Sequence, residues 1–344
     1  MQKGFFYIVQ YIIFLGIGIF LVWWSVHKLS DEAYVEFIRS LKTANYYLLI
    51  PVFIILTISH LSRAIRWQIL MRSMGYTPKL SNTFSAVMIG YLANFAVPRL
   101  GEILKCTILG KYEKVPPDKL VGTILVERAV DILSLIIVVI IALISQVKVV
   151  GGYAKAIFIK YIFSQNTGAF VIKFSLMILC FIVLIFLMRF IFRRFAEVKF
   201  IQKIKSIFNG ILTGLLSIKT MQHKGYFIFH SILIWSCYVI GTYIGFFAIN
   251  ETAGLPMMAA FPVLVFGTMA TILTPGGIGL YPVFVMEAMQ LYNVPASFGT
   301  ANGWLQWSAQ FILILIVGFI CLLILPYINK RKDESHKHHT VESV

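Results

Sequence analysis

The sequence predicts an all-α polytopic membrane protein with about six transmembrane helices and two re-entrant hairpins of broken helix, arranged as an inverted repeat. Of the 344 residues, 59% are hydrophobic and only 13% are charged, whereas soluble domains are about 45–50% apolar and about 25% charged. Long apolar segments recur along the chain, and two of them are interrupted by Pro and Gly at corresponding positions. This composition excludes a soluble enzyme, a disordered chain and a secreted disulfide scaffold.

Six segments are apolar over the roughly 20 residues that a helix needs to cross the hydrocarbon core. They are residues 5–26, 45–68, 122–146, 168–190, 226–249 and 303–327. The first is too long for a signal-peptide core and is predicted to remain as a span. We expect one integral domain over residues 1–328, followed by a polar, disordered cytoplasmic tail over residues 329–344.

Two further apolar segments, residues 84–109 and 257–291, are broken near their middles by residues that end one helix and begin another. The first break contains Pro98, Arg99, Gly101 and Glu102. The second contains Pro275, Gly276, Gly277, Gly279 and Pro282. Irregular backbone at membrane depth is tolerated where it is buried in protein or lines a cavity, so both segments are predicted to be re-entrant hairpins inside the protein.

The distribution of basic residues predicts the orientation, because Lys and Arg accumulate on the cytoplasmic side. With the N-terminus inside, most of the 30 Lys and Arg residues fall in cytoplasmic segments and the C-terminus is also inside. We therefore expect a multi-pass protein of the inner or plasma membrane. Each span must begin on the side where the previous one ended. Hairpin 84–109 is therefore predicted to enter from the inside, and hairpin 257–291 from the outside.

The two halves of the chain align at a constant offset of 177 residues, so that Phe84, Gly90 and Pro98 fall on Phe261, Gly267 and Pro275. The predicted half-repeats span residues 45–147 and 226–327. Inverted repeats with broken helices that meet near the midplane are typical of transporters. Two unrelated kinked hairpins are the alternative.

Between the fourth and fifth spans, apolar residues recur at helical spacing on the face opposite several lysines. The segment is therefore predicted to form an amphipathic helix on the inner membrane surface, at about residues 197–220. A structural linker that lies on anionic lipid is the simplest role for it. The apolar positions are Ile201, Ile204, Phe208, Ile211, Leu215 and Ile218.

Charged groups are costly inside a membrane domain and often mark a substrate pathway. The candidate substrate-binding residues fall in three clusters, which are Arg63 with Arg66; Arg99, Glu102 and Lys105; and Glu127, Arg128 and Asp131. Spacing along the helices suggests that Glu102 can pair with Lys105 and that Arg128 can reach Asp131. The alternatives are positive-inside anchors for the first cluster and a structural ion network for the third.

The second hairpin offers glycines and free backbone N–H groups in place of charge. Glycine turns and bare helix N-termini attract anions, so Gly276, Gly277 and Gly279 are further candidate binding residues. They are expected to face the basic residues of the first hairpin across a cavity. The sixth span adds a polar and aromatic stripe that could face the same cavity, composed of Asn302, Trp304, Gln306, Trp307 and Gln310.

The ordered motifs RxxRW (from Arg63), PRxGE (from Pro98), ERxxD (from Glu127) and PxGGxG resemble those of the integral-membrane family of the lysylphosphatidylglycerol synthase N-terminal region, also called flippase-like. The resemblance covers about residues 5–328. It implies movement of aminoacylated or other polar lipids between leaflets. The aminoacyl-transferase domain of bifunctional members is missing here, so lipid synthesis is not expected. Many members carry Glu soon after the glycine motif, where this chain has Tyr281 and Pro282.

The sequence thus predicts a flippase for a polar, phosphate-bearing lipid. The expected partners are membrane lipids with anionic or polar headgroups, and the oligomeric state stays open. No cofactor, metal or catalytic residue is expected. Nucleic acid is not expected despite the net charge of +16, because the basic residues are spread between apolar spans. The alternatives are a membrane transferase that acts on a lipid carrier and a non-transporting partner of another envelope enzyme.

Overall fold

A computed structural model describes residues 30–97, 100–162 and 223–341, with a few isolated positions elsewhere. Two predicted spans (5–26 and 168–190), the predicted surface helix, Pro98 and Arg99 lie outside these ranges. Every regular element in the described ranges is a helix, which confirms the all-α prediction. The α-helices are α1 (Asp31–Thr43), α2 (Leu49–Arg72), α3 (Leu80–Ala96), α4 (Leu100–Glu113), α5 (Pro117–Ile162), α6 (Lys224–Phe246), α7 (Ala260–Leu273), α8 (Leu280–Gln290) and α9 (Ala296–Val341).

Four helices in the described ranges are long and apolar enough to cross a membrane. They cover Tyr46–Arg72, Pro117–Gln146, Lys224–Phe246 and Ala296–Lys330. These correspond to the second, third, fifth and sixth predicted spans. Many of their large apolar side chains are exposed on the outside of the bundle, as expected where lipid is the solvent. The chain is therefore a multi-pass helical membrane protein.

Two helical boundaries differ from the sequence predictions. Helix α9 continues to Val341, into the segment predicted as a disordered tail. Its Lys, Arg and Glu residues are good helix formers, and they extend a helix that the membrane span has already nucleated. Helix α1 was not predicted. It begins after Ser30, whose side chain accepts the N–H of Ala33, and it packs against α9 with Phe37 buried.

Both predicted breaks are present. Helix α3 ends at Ala96, and α4 begins at Leu100. Helix α7 ends at Leu273 and is followed by a 3₁₀ turn, Pro275–Gly277, before α8 begins. In each case two short helices pack against each other as a hairpin. We call α3–α4 the first hairpin and α7–α8 the second hairpin.

In each hairpin a glycine lets the two arms pack closely. In the first hairpin, a Cβ on Gly101 would lie 1.9 Å from the backbone oxygen of Gly90. In the second, a Cβ on Gly267 would lie 2.6 Å from the ring of Tyr281. Real Cβ contacts are never this short, so only a residue without a side chain fits at these crossings.

The helices pack in matching pairs. Helix α2 packs along α6, the first hairpin packs on α9 through α3, and the second hairpin packs on α5 through α7. The helical boundaries also agree with the 177-residue offset. Residues 80–96 of α3 map onto 257–273, which is the extent of the Met257–Ala259 turn and α7 together. The end of α4 at Glu113 maps onto the end of α8 at Gln290.

Candidate functional site

The charged residues of three helices meet in the interior of the bundle, on one side of the first hairpin. Helix α2 contributes Arg63 and Arg66, which lie one turn apart and so project from the same face. Helices α4 and α5 contribute the remaining groups, which are Glu102, Lys105, Glu127, Arg128 and Asp131. The structure thus brings together seven of the residues predicted from sequence. We call these seven residues the charged cluster.

Asp131 lies between the two arginines of α2 and uses one carboxylate oxygen for each. Its Oδ2 is 2.5 Å from Nη1 of Arg63, and its Oδ1 is 2.7 Å from Nη2 of Arg66. Arg66 is completely buried, and Asp131 exposes 15% of its side chain. The negative charge of Asp131 between the two guanidinium groups lowers the free-energy cost of burying these charges in a low-dielectric interior.

Glu127, one turn before Asp131, is bound by Lys105 of the first hairpin. The Lys105 Nζ lies 3.0 Å from Oε2 of Glu127 and 4.2 Å from the centre of the Trp67 ring. The indole N–H of Trp67 donates to Oγ1 of Thr123 at 2.7 Å. These contacts connect α2, α4 and α5 through a buried ion pair and a cation–π contact.

Glu102 and Arg128 form the outer part of the charged cluster. Arg128 donates from Nη2 and Nε to Oε1 of Glu102 at 2.8 and 3.0 Å. This pair is accessible, with 53% of the Arg128 side chain and 37% of the Glu102 side chain exposed. It forms at the entrance of the cluster rather than in its interior.

The pairing therefore differs from the one that spacing along single helices suggested. Lys105 binds Glu127 rather than Glu102, and Arg128 binds Glu102 rather than Asp131. Side chains three residues apart on one helix are neighbours. Partners on a facing helix nevertheless approach more directly, because both side chains can extend toward each other across the interface.

A small pocket opens at the charged cluster, with about 350 Å³ of empty space that includes a part open to solvent. Six charged residues line it, and Arg66 lies behind Asp131. The other lining residues are Val87, Gly90, Tyr91, Asn94 and Ile124. Sequence reasoning missed Tyr91 and Asn94. The available signal was their spacing on α3, which places both on the face that leads to the break.

Asn94 and Tyr91 support the pocket from the first hairpin. The Oδ1 atom of Asn94 accepts the N–H of Gly101 at 2.8 Å and so ties α3 to the first turn of α4. The ring of Tyr91 lies 5.0 Å from the ring of His60 on α2. Asn94 therefore fixes the arm of the hairpin that carries Glu102 and Lys105.

Three buried polar atoms of the charged cluster make no hydrogen bond among the described residues. They are the Nε atoms of Arg63 and Arg66 and the Oε1 atom of Glu127. Leaving such groups unpaired is costly. In addition, the four basic side chains exceed the three acidic ones by one positive charge. The two guanidinium donors and the excess positive charge favour an anion as the missing partner, whereas Oε1 of Glu127 requires a donor.

The glycines of the second hairpin do not line this pocket. Gly276, Gly277 and Gly279 have φ angles of 61°, 76° and 72°, so each adopts the left-handed backbone that favours glycine. A Cβ on Gly276 would lie 2.1 Å from the ring of Phe95, so the second hairpin touches the first near its break. The glycines and the charged cluster thus lie on different sides of the first hairpin. Arg99 lies outside the described residues.

The polar stripe of α9 serves the second hairpin and α6. Trp307 donates its indole N–H to the carbonyl oxygen of Gly276 at 2.9 Å. Gln310 donates to the hydroxyl of Tyr281 at 3.2 Å. Asn302 donates to the carbonyl of Gly245, and Gln306 donates to Asn302. The stripe therefore satisfies buried backbone and side-chain groups away from the pocket.

Among the described residues, no group of three or more His, Cys, Asp or Glu side chains is arranged to hold a metal ion. The charged residues that line the pocket carry guanidinium, ammonium and carboxylate groups. Such groups bind and release anions, and they bind phosphate with particular strength when the guanidinium forks can reach two oxygens.

The fold and the site define a multi-pass helical membrane protein that buries an ion network between its spans. The chain belongs to the lysylphosphatidylglycerol synthase TM region family, whose family model matches residues 9–333. A UPF0104 membrane protein of Methanocaldococcus jannaschii is 22% identical over 314 residues, which cover 87% of this chain and 91% of that protein. No solved structure matches the chain.

Proposed function

We propose that the protein moves a polar, phosphate-bearing lipid between the two leaflets of the cell membrane. The observation that carries this proposal is the pocket at the charged cluster, which opens between membrane-spanning helices. With Arg66 behind Asp131, the cluster as a whole has one positive charge in excess. Membership of a lysylphosphatidylglycerol synthase TM family supports a role with membrane lipids. A buried ionisable cluster in a membrane domain is expected to mark a pathway.

We assign the headgroup contacts to Arg63, Arg66 and Lys105, together with Arg99 at the break of the first hairpin. Glu127 and Asp131 form ion pairs with these cations while the site is empty. Glu102 and Arg128 form an ion pair at the entrance of the pocket. The glycine turn of the second hairpin would present backbone N–H groups to the lipid on the other side of the first hairpin. This assignment involves binding and translocation and no chemical reaction.

An inverted repeat would supply the two states that translocation requires. Two features support it, namely the shared 177-residue offset of the helical boundaries and the pairing of α2 with α6. The distribution of Lys and Arg supports cytoplasmic N- and C-termini. In this arrangement the two hairpins enter from opposite sides and meet at Phe95 and Gly276.

Lipid transfer in vesicles tests the proposed function directly. Purified protein would be reconstituted with a fluorescent phospholipid, and loss of fluorescence to an external quencher would report the movement of the lipid to the outer leaflet. We expect Arg63→Lys and Arg66→Lys to slow transfer about tenfold, because Lys cannot grip phosphate through a bidentate fork. Arg72→Lys is the matched control, since Arg72 lies on the same helix but is exposed.

The outcomes separate a headgroup site from ordinary basic anchors. Normal transfer by the Arg63→Lys and Arg66→Lys variants would contradict the assignment of these arginines to the headgroup. A wild-type protein that transfers no more lipid than empty vesicles would contradict translocation altogether. Thermal unfolding in detergent, measured for all three variants, distinguishes slow transfer from loss of folded protein.

Labelling of single cysteines tests the inverted arrangement. The two positions are Lys111 near the end of the first hairpin and Glu251 before the second, both of which are exposed. In a background without the native cysteines, Lys111→Cys should react only from the cytoplasmic side and Glu251→Cys only from the outside. Reaction of both from the same side would contradict the inverted repeat.

A further inference from the structure

Asp131 occupies the position that an anionic headgroup would take at the charged cluster. Its two oxygens lie 2.5 and 2.7 Å from the terminal nitrogens of Arg63 and Arg66. A phosphate group presents pairs of oxygens to guanidinium groups in the same way. Asp131 also lines the pocket, with Arg66 directly behind it. An anion that enters the pocket therefore meets Asp131 before it can reach Arg66.

We propose that Asp131 is a displaceable internal counter-ion, and that Arg128 exchanges Glu102 for Asp131 when a phosphate binds between Arg63 and Arg66. This inference rests on the proposed function, which supplies the phosphate-bearing ligand. In the empty state the pairs are Arg63 and Arg66 with Asp131, and Arg128 with Glu102. In the loaded state the two arginines bind the phosphate, Arg128 binds Asp131, and Glu102 is left free.

The displaced carboxylate requires a new cation, because an unpaired charge in the interior is strongly destabilising. Arg128 is the nearest candidate on the same helix, three residues before Asp131, and side chains at this spacing share a face. Arg128 lines the same pocket. Lys105 is a poorer candidate, because it is already fixed between Glu127 and the Trp67 ring.

The exchange leaves the unpaired charge at the position where it costs least. Glu102 exposes 37% of its side chain, whereas Asp131 exposes 15% and Glu127 exposes 4%. An exposed carboxylate that loses an ion-pair partner is stabilised by water. The unpartnered Nε atoms of Arg63 and Arg66 give the phosphate further donors that the smaller carboxylate does not use.

Two single variants of one ion pair test this exchange. Glu102→Gln and Arg128→Gln both break the Glu102–Arg128 pair, and they change the charge beside the pocket in opposite directions, so a static salt bridge predicts modest effects of opposite sign on phosphate binding. What distinguishes the exchange is a large effect of Arg128→Gln that depends on Asp131. Arg128→Gln should weaken binding of inorganic phosphate by at least about tenfold, because the displaced Asp131 has no partner. Glu102→Gln should tighten it by up to about fivefold, because it removes a competitor from an exposed pair.

The measurement is isothermal calorimetry of purified protein in detergent with inorganic phosphate, with thermal unfolding as the check on folding. Equal effects of the two variants on the dissociation constant would overturn the exchange. The pair is largely exposed, so both variants are expected to fold. Arg72→Gln, exposed at the end of α2, controls for the loss of one positive charge.

An Asp131→Asn background separates the exchange from direct binding of phosphate by Arg128. Once Asp131 is neutral, the added Arg128→Gln change should no longer weaken phosphate binding. If it weakens binding by the same factor as in the wild-type background, Arg128 contacts phosphate itself and the exchange is wrong. Asp131→Asn should also be stabilised by phosphate, which replaces the missing counter-ion. A variant that remains unfolded in phosphate buffer would overturn the proposal as well.

Comparing inorganic phosphate with a phospholipid distinguishes this inference from the proposed function. The second arm uses detergent micelles that contain phosphatidylglycerol, with the same variants. An effect of Arg128→Gln that is present with Asp131 and absent in the Asp131→Asn background, in both arms, would support the exchange for a lipid headgroup. The same dependence with inorganic phosphate, combined with no lipid transfer in vesicles, would support the exchange and contradict translocation.

Discussion

The two hairpins have the same layout but use different chemistry to hold an irregular backbone inside a membrane protein. In the first hairpin, residues beside the break form ion pairs with α5, through Lys105 to Glu127 and Glu102 to Arg128. In the second, the turn is neutral, and Trp307 donates to the carbonyl oxygen of Gly276. A similar order of helices thus coexists with unequal charge. This difference is consistent with the proposal that the first hairpin supplies the charged contacts to a headgroup.

The largest expected difference between the hairpins comes from breaking the buried ion pair of the first. Lys105→Met removes the closest cation from buried Glu127, which keeps only Arg66 at 3.8 Å, and should lower the free energy of unfolding by about 3 kcal/mol. Adding Glu127→Gln should restore much of this loss. Pro282→Ala changes the equivalent position of the second hairpin, removes no charge and should cost less than Lys105→Met. Thermal unfolding in detergent measures all four proteins, and a Lys105→Met protein as stable as wild type would show that the pair is not structural.

The next comparison concerns the glycines at which the two helices of each hairpin approach each other. Gly101→Ala places a Cβ against backbone at 1.9 Å and should cost about 3 kcal/mol, at the upper end of the overpacking range. Gly267→Ala meets the Tyr281 side chain at 2.6 Å and should cost less, because a ring can shift whereas backbone cannot. Gly122→Ala has open space within α5 and should be neutral or slightly stabilising. The ranking of the three unfolding midpoints checks this prediction, and an equal loss for Gly101 and Gly267 would contradict it.

A smaller effect is expected for the neutral support of the second hairpin. Trp307→Phe keeps an aromatic ring stacked on Phe311 but removes the donor to Gly276, which should cost about 0.5–1.5 kcal/mol. Trp304→Phe is the matched control, because the Trp304 indole nitrogen has no hydrogen-bond partner among the described residues. Chemical denaturation of both variants would measure the difference, and equal stability would show that the bond to Gly276 contributes nothing.

The smallest expected effect on stability is at the entrance of the pocket. Glu102→Gln and Arg128→Gln each break an exposed ion pair, and such pairs contribute about 0–1 kcal/mol. Each variant should therefore unfold within a few degrees of wild type in a thermal scan, and the difference should shrink at high salt. Loss of several kcal/mol in either variant would show that this pair is buried in the folded protein.

The sequence predicted both breaks and the four membrane helices that the described ranges contain, because span length and the Pro and Gly interruptions are local properties. It also identified the seven members of the charged cluster, since charge within an apolar segment is conspicuous. The ion-pair partners were wrong at Lys105 and Arg128. Spacing along one helix indicates which residues share a face, but it does not specify which face of another helix lies opposite. Tyr91 and Asn94 were not predicted as pocket residues, because polar and aromatic residues are common on apolar helices.

The separation of the charged residues along the chain has a consequence for biosynthesis. Asp131 follows Arg66 by 65 residues and Arg63 by 68, so α2 is made well before its counter-ion exists. At a synthesis rate of about 5–20 residues per second, the delay is on the order of ten seconds or less. During that interval the two arginines lack Asp131, and we expect their long side chains to keep contact with water at the membrane surface. Pairing with Asp131 becomes available only once α5 has been made, so the ion network links the final packing of α2 to the insertion of α5.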